Sequence, residues 1–228
     1  MKKLVLLMAV CAVPLFADQP QTALLATPTT TARTATAITT QNDDLRMEAT
    51  VKWLGPSSVG SLIVYNGNGC CSGWGILVFS SNDTPANAIA VLAGGVTIVP
   101  SNLTLTPNVW QHVSMDRVNQ DVTLTLSSAD NNDHTPPQTV DLGVVPANFV
   151  GFLRPAQTLV GDAFNGFISD AAITSLAGTP SVIESWDFSQ APATFNKLVN
   201  LYGPTATGSN GHVLNLTSSW AVPARGNN

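Results

Sequence analysis

Few residues in this chain are typed and spaced for chemistry, and their spacing excludes more than it allows. Acid–base cleavage of a glycosidic bond needs two carboxylates flanking that bond. The only glutamates are Glu48 and Glu184, and neither has an acidic residue two positions away, the spacing that puts both side chains on one face of a strand. The acid nearest Glu184 is Asp187, and no Asp-x-Asp pair falls on a predicted strand. A serine nucleophile elbow, Gly-x-Ser-x-Gly, is absent. The three histidines, His112, His134 and His212, are not at ligand spacing. His112 reads as a satisfied structural side chain, and His134 as the solvated tip of Asn131-Asn132-Asp133-His134-Thr135.

The cysteines point elsewhere. Cys70 and Cys71 are adjacent, and Cys11 lies in a leader-like segment. Neighbouring Cα atoms stand about 3.8 Å apart, shorter than the usual disulfide span, so a bridge between them would be strained. Three readings stay open: a vicinal disulfide, two free thiols, or bridges between chains. Zinc is excluded by the spacing, because a tetrahedral site needs more ligands, set further apart. The pair sits in Asn66-Gly67-Asn68-Gly69-Cys70-Cys71-Ser72-Gly73, whose glycines and asparagines predict an exposed loop. Tyr65 adjoins it, so Tyr65, Asn66, Asn68, Cys70 and Cys71 form the first candidate ligand surface.

The elements that must position such residues are strands. Leu45, Met47, Ala49, Val51 and Trp53 alternate with Arg46, Glu48, Thr50 and Lys52, the pattern of a half-buried antiparallel strand. From Trp110, period-two alternation runs to Asp116, Arg117 to Gln120 read as a charged and polar turn, and Val122, Leu124 and Leu126 resume the alternation. A second hairpin joins Ala88–Ala93 to Val96–Val99 across Gly94-Gly95. Further strands are predicted at 61–65, 74–80, 139–144, 149–153, 164–174, 182–188 and 212–216, with edge strands at Thr22–Ala26 and Arg33–Thr40. More than about ten short strands with regular turn signals make an all-β sandwich or barrel.

Composition agrees. The chain has 228 residues, 44% of them hydrophobic and 10% charged, with a net charge of −5. One β-sandwich of this length is ordinary, and the acidic balance excludes a nucleic-acid footprint. Residues 1–17 read as a secretory signal: Lys2 and Lys3, an apolar run, then Leu15-Phe16-Ala17. That run is too short to span a membrane, so a secreted or periplasmic product is expected, with no membrane insertion. Residues 18–44 form a Thr- and Ala-rich lead-in that includes the first edge strands, 45–222 the domain, and 223–228 a short tail.

Trp110-Gln111-His112-Val113, together with Phe164-Asn165-Gly166-Phe167-Ile168-Ser169-Asp170, resembles the laminin-G-like domains of the concanavalin A-like lectin and glucanase superfamily. Leu45–Trp53, Gly73-Trp74-Gly75 and Trp186-Asp187-Phe188 are similar to that family's core strands. The resemblance implies a two-sheet antiparallel jelly roll and a calcium site at one rim. Calcium takes six to eight oxygen ligands, and Asp170 matches the family's acidic position, with Asp162 on the approach to the same strand. Related glucanases carry Glu-x-Asp-x-x-Glu on one strand, which this sequence lacks. The expected function is an exported, non-catalytic module that binds a glycan or another extracellular surface. The alternative is a self-associating structural or adhesive subunit. A glycosidase ranks third.

Overall fold

The computed structural model describes residues 22–39, 44–68, 72–130, 133–146, 156–189, 205–216 and 221–223. Among the described residues, sixteen strands build two antiparallel sheets. The first sheet holds β1 (Thr22–Ala26), β3 (Leu45–Trp53), β8 (Trp110–Val118), β9 (Asp121–Ser128), β10 (Gln138–Val144), β12 (Gly166–Ser175), β13 (Ser181–Asp187) and β16 (Ala221–Pro223). Seven of these run in the order β10-β9-β8-β3-β12-β1-β16, and β13 also pairs with β12. β1 and β13 divide that edge of β12, β1 taking residues 166–168 and β13 residues 170–175. The second sheet is ordered β14-β15-β2-β11-β4-β5-β6-β7. Its members are β2 (Ala32–Arg33), β4 (Ser61–Asn68), β5 (Ser72–Val78), β6 (Ala88–Ala93), β7 (Thr97–Thr104), β11 (Gln157–Asp162), β14 (Thr205–Thr207) and β15 (Val213–Leu216). The expected all-β, two-sheet antiparallel jelly roll is what the chain forms.

The alternation read along β3 becomes strict alternation of buried and half-buried residues. Leu45, Met47, Ala49, Val51 and Trp53 meet Ile63, Val64, Trp74 and Ile76 of the other sheet in one core. Removing this apolar surface from water drives the two sheets together. The odd–even phase of β3, β8 and β12 therefore dictates which side chains are left on the outer face of the first sheet.

Both predicted hairpins form. Gly94 and Gly95 have φ of 60° and 73°, the left-handed pair of a turn closed by Val96 N–H donating to the Ala93 carbonyl (3.3 Å), after which the second strand begins at Thr97 opposite Ala93. The other turn is shorter than the sequence suggested. Only Asn119 and Gln120 make it, with φ of 51° and 74°, and Val118 pairs with Asp121. Arg117 is not in the turn. It lies in β8, 1% exposed, with its guanidinium 5.5 Å from the centre of the Trp74 ring and its Nε donating to the Val145 carbonyl (3.4 Å). Its position is in phase with Val113 and Met115, so the strand carries it inward.

Other differences are local. The edge strand expected over 33–40 is confined to Ala32–Arg33. β11, β14 and β16 were not anticipated. The segments 1–17 and 149–153 lie outside the described residues. Among the described residues, no helix is long and apolar enough to cross a membrane.

Candidate functional site

The Tyr65–Gly73 segment departs furthest from expectation. Instead of an eight-residue loop, β4 and β5 continue through it, pairing Tyr65 with Gly75, Gly67 with Gly73, and Asn68 with Ser72. Glycine allows this closeness. A Cβ on Gly73 would sit 2.0 Å from the Asn66 carbonyl oxygen, and one on Gly67 would sit 2.2 Å from that of Ser72. Tyr65 is wholly buried, with its hydroxyl shared between the carbonyls of Ser72 (2.5 Å) and Asn68 (3.1 Å), and burial pushes its phenol well above the usual range. Asn66, also buried, accepts from Ile38 N–H (3.2 Å) and the Thr158 hydroxyl (2.7 Å) and donates to the Thr39 carbonyl (2.9 Å). Asn68 is 4% exposed. Asn66 thus ties the hairpin to Ile38, Thr39 and Thr158, Tyr65 braces the hairpin itself, and all three side chains are buried away from a ligand. Cys70 and Cys71 lie outside the described residues.

The suggested calcium ligands are set apart. Asp162 is on β11 of the second sheet, paired in register with Leu62, and burial raises its carboxyl while Arg33 opposes the shift. Asp170 is on β12 of the first sheet. Residues 163–165 connect the two strands across a change of sheet. Among the described residues, no three acidic, histidine or cysteine side chains gather as a metal-ligand set.

Asp170 belongs to a different constellation, on the outer face of the first sheet. Register places the side chains in rows across the strands. One row carries Trp110, Lys52 and Phe167; the next carries His112, Thr50, Asp170 and Asp187; a third carries Ser114, Glu48, Ala172 and Ser185. Trp110 and Phe167 pack with Ala23 in a small apolar cluster at the end of the face. Beyond it opens a trough of about 440 Å³ lined by Glu48, His112, Asp170, Ser185, Asp187 and Ser189.

The trough is chemically specific. His112 lies with Nε2 3.4 Å from Glu48 Oε2 and Nδ1 3.2 Å from the Thr50 hydroxyl. Asp170 accepts from the Ser169 hydroxyl (2.6 Å), and Asp187 accepts from both the N–H (2.8 Å) and the hydroxyl (2.6 Å) of Ser189. Asp170 and Asp187 are direct cross-strand partners, a position that brings Cβ atoms to about 4.5–5.5 Å and makes like charges repel. Among the described residues, no salt bridge engages either aspartate. Arg46, further along β3, is engaged by Asp116 in a two-bond pair of 2.6 Å each, which raises its pKa.

Sequence reasoning named Asp170 and missed the rest. Glu48 and His112 were legible as outward positions on β3 and β8, but only the register reveals that they meet. Asp187 was seen three residues from Glu184, yet alternation sends Glu184 inward and Asp187 outward. Glu184 is wholly buried. One carboxylate oxygen accepts from Ser185 N–H (2.9 Å), Asn210 N–H (2.8 Å) and the Ser209 hydroxyl (3.0 Å); the other accepts from His212 N–H (3.0 Å) and Nδ1 (2.7 Å). Burial works against its charge, but these donors outweigh it and bring its pKa down to about 2. Glu184 is a structural pin, holding the 208–212 turn to β13.

Fold and face together define a two-sheet jelly-roll sandwich with a polar, acid-lined trough on one sheet. No protein-family profile matches the chain, and no curated protein matches it in sequence. Among solved structures it is similar to a candidate carbohydrate-binding protein from Bacteroides ovatus ATCC 8483, with a TM-score of 0.62 and 10% identity over 90% of this chain. The match spans 60% of that protein's length. Looser likenesses are to the enzymatically active domain of bacteriophage CBA120 tailspike protein 2 (TM-score 0.43, 17% identity, 64% of this chain and 23% of that one) and to the heptameric SAP-like pentraxin of Limulus polyphemus (0.43, 10%, 69% and 77%). At such identities the likeness is one of fold, which does not fix activity.

Proposed function

We propose that the protein is an exported, non-catalytic module that binds carbohydrate, and that the trough on the outer face of the first sheet is its ligand surface. The observation that carries this reading is the opposed pair Asp170 and Asp187 on the trough floor. The fold tolerates a repulsive contact there, at a face ready to exchange it for hydrogen bonds from ligand hydroxyls. Support comes from the size of the trough, within the roughly 300–1,000 Å³ of ligand sites, from its mixture of carboxylate, hydroxyl and imidazole groups, and from the fold shared with the Bacteroides protein.

The test is a glycan array with wild type and the Asp170→Asn and Asp187→Asn variants, in calcium and in EDTA. Loss of binding in both variants supports the reading; binding unchanged in both would refute it. Loss in EDTA alone would tie the ligand to a bridging cation at these aspartates. Sequencing the N-terminus of the mature protein checks export, with Asp18 the expected first residue.

A second reading has one observation in its favour. Asp170 and Asp187 face each other across β12 and β13, glycosidases place two carboxylates on either side of the scissile bond, and sequence alone showed no such pair. Release of reducing sugar from a bound glycan, abolished by Asp187→Asn, would establish that reading over the non-catalytic one.

A further inference from the structure

The sandwich has a second cavity, at the end where its core gives out. The inward phase of β8 runs Met115, Val113, Gln111; that of β9 runs Leu124, Leu126, Ser128; that of β10 runs Leu142, Val140, Gln138. Register confirms the grouping, pairing Gln111 with Ser128 and Leu126 with Gln138. Each strand thus ends its apolar series with a polar side chain at the rim, half-buried at Gln111 and Ser128 and exposed at Gln138. Together with Thr104 and Thr106 from the second sheet's side and the Asp133–Pro136 segment, they line a cavity of about 230 Å³. Its volume is below the roughly 300–1,000 Å³ of drug-sized sites, which suits one ring rather than an extended chain.

The lining selects a class of ligand. Leu126, Val109 and Pro136 provide an aliphatic patch, while Gln111, Gln138, Ser127, Ser128, Thr104 and Thr106 provide donors and acceptors around it. The Gln111 side-chain oxygen accepts from Thr106 N–H (2.6 Å), so its orientation is fixed and its amide N–H groups remain to donate. The only charged residue in the lining is Asp133. Its Oδ1 is already engaged by the hydroxyl (2.5 Å) and N–H (2.9 Å) of Thr135, which hold the carboxyl below its ordinary range. Among the lining residues there is no Lys or Arg, so an anionic ligand finds no partner.

We propose that this mouth is a ligand site separate from the trough, taking an uncharged sugar ring or a polyol of similar size. Its aliphatic patch meets the C–H face of the ring, and the amides and hydroxyls meet the ring hydroxyls. This inference does not depend on the trough's function.

The experiment is titration of the intact protein with glucose, galactose, mannose and N-acetylglucosamine, with glucosamine and glucuronate as charged controls, read by amide chemical-shift changes. Saturable shifts are expected at Gln111, Ser128 and Gln138, including the side-chain amides of the two glutamines, for at least one neutral sugar. Its affinity should exceed that for glucuronate by at least tenfold. Gln138→Ala, at an exposed position where misfolding is not expected, should weaken binding at least fivefold. Shifts confined to the trough, shifts equal for neutral and charged sugars, or no saturable shift with any of the four neutral sugars would each overturn the proposal.

Discussion

Glu184 and Asp187 lie three residues apart on one strand and do opposite work. Glu184 faces inward, is wholly buried, and is met by five donors from four residues. Asp187 faces outward, opposite another aspartate, and its hydrogen bonds come from Ser189 beside it. A buried carboxylate is tolerable when its lone pairs are filled. An exposed carboxylate facing its like is a small, uncompensated cost. The first arrangement stabilises this fold; the second leaves capacity to bind something else.

The strongest way to break the comparison is to remove the pin. Glu184→Ala takes the acceptor from the part-buried N–H groups of Asn210 and His212, at about 3 kcal/mol in all. A domain of this size should then melt about 9 °C lower, as calorimetry would read. A drop of under 2 °C would mean that the 208–212 turn holds without the carboxylate.

Acid sharpens the same point. Glu184 has its pKa lowered to about 2 from an ordinary 4.5, so the stability it confers is complete above about pH 4.5 and is lost as pH falls through about 2. Urea midpoints of wild type and Glu184→Gln should differ most near pH 6 and converge toward pH 2. Titration of the other carboxylates is common to both proteins and cancels. A gap independent of pH would place the variant's defect in packing rather than charge.

The smallest effect belongs to the trough. Asp187→Asn removes the like-charge contact with Asp170 and should raise stability by about 0.5 kcal/mol, while weakening ligand binding. Denaturant midpoints check the sign, and a destabilised variant would show that Asp187 serves the fold rather than the site.

Much of the fold was legible because alternation is a local property. Leu45–Trp53 and the two hairpins stand where their sequence put them. β11 was overlooked although Thr158 and Val160 alternate, since Gly161 interrupts the run with a left-handed φ of 67°. Glycine density at 66–73 was read as loop, when glycine was serving close backbone contact between paired strands. Arg117 was assigned to a turn because charge suggests solvent, yet the strand's phase carried it under Trp74. The site itself was least legible. Its members come from β3, β8, β12 and β13, and which residues share a row depends on pairing register, fixed by long-range packing and by the bulge between Ile168 and Asp170.

The most direct measurement is glycan binding by wild type and by the Asp170→Asn, Asp187→Asn double variant, with folding verified by an unchanged or slightly raised melting temperature. The account predicts a stable protein that has lost its ligand. A stable double variant that binds glycans as wild type does would contradict it and move the ligand surface off this face.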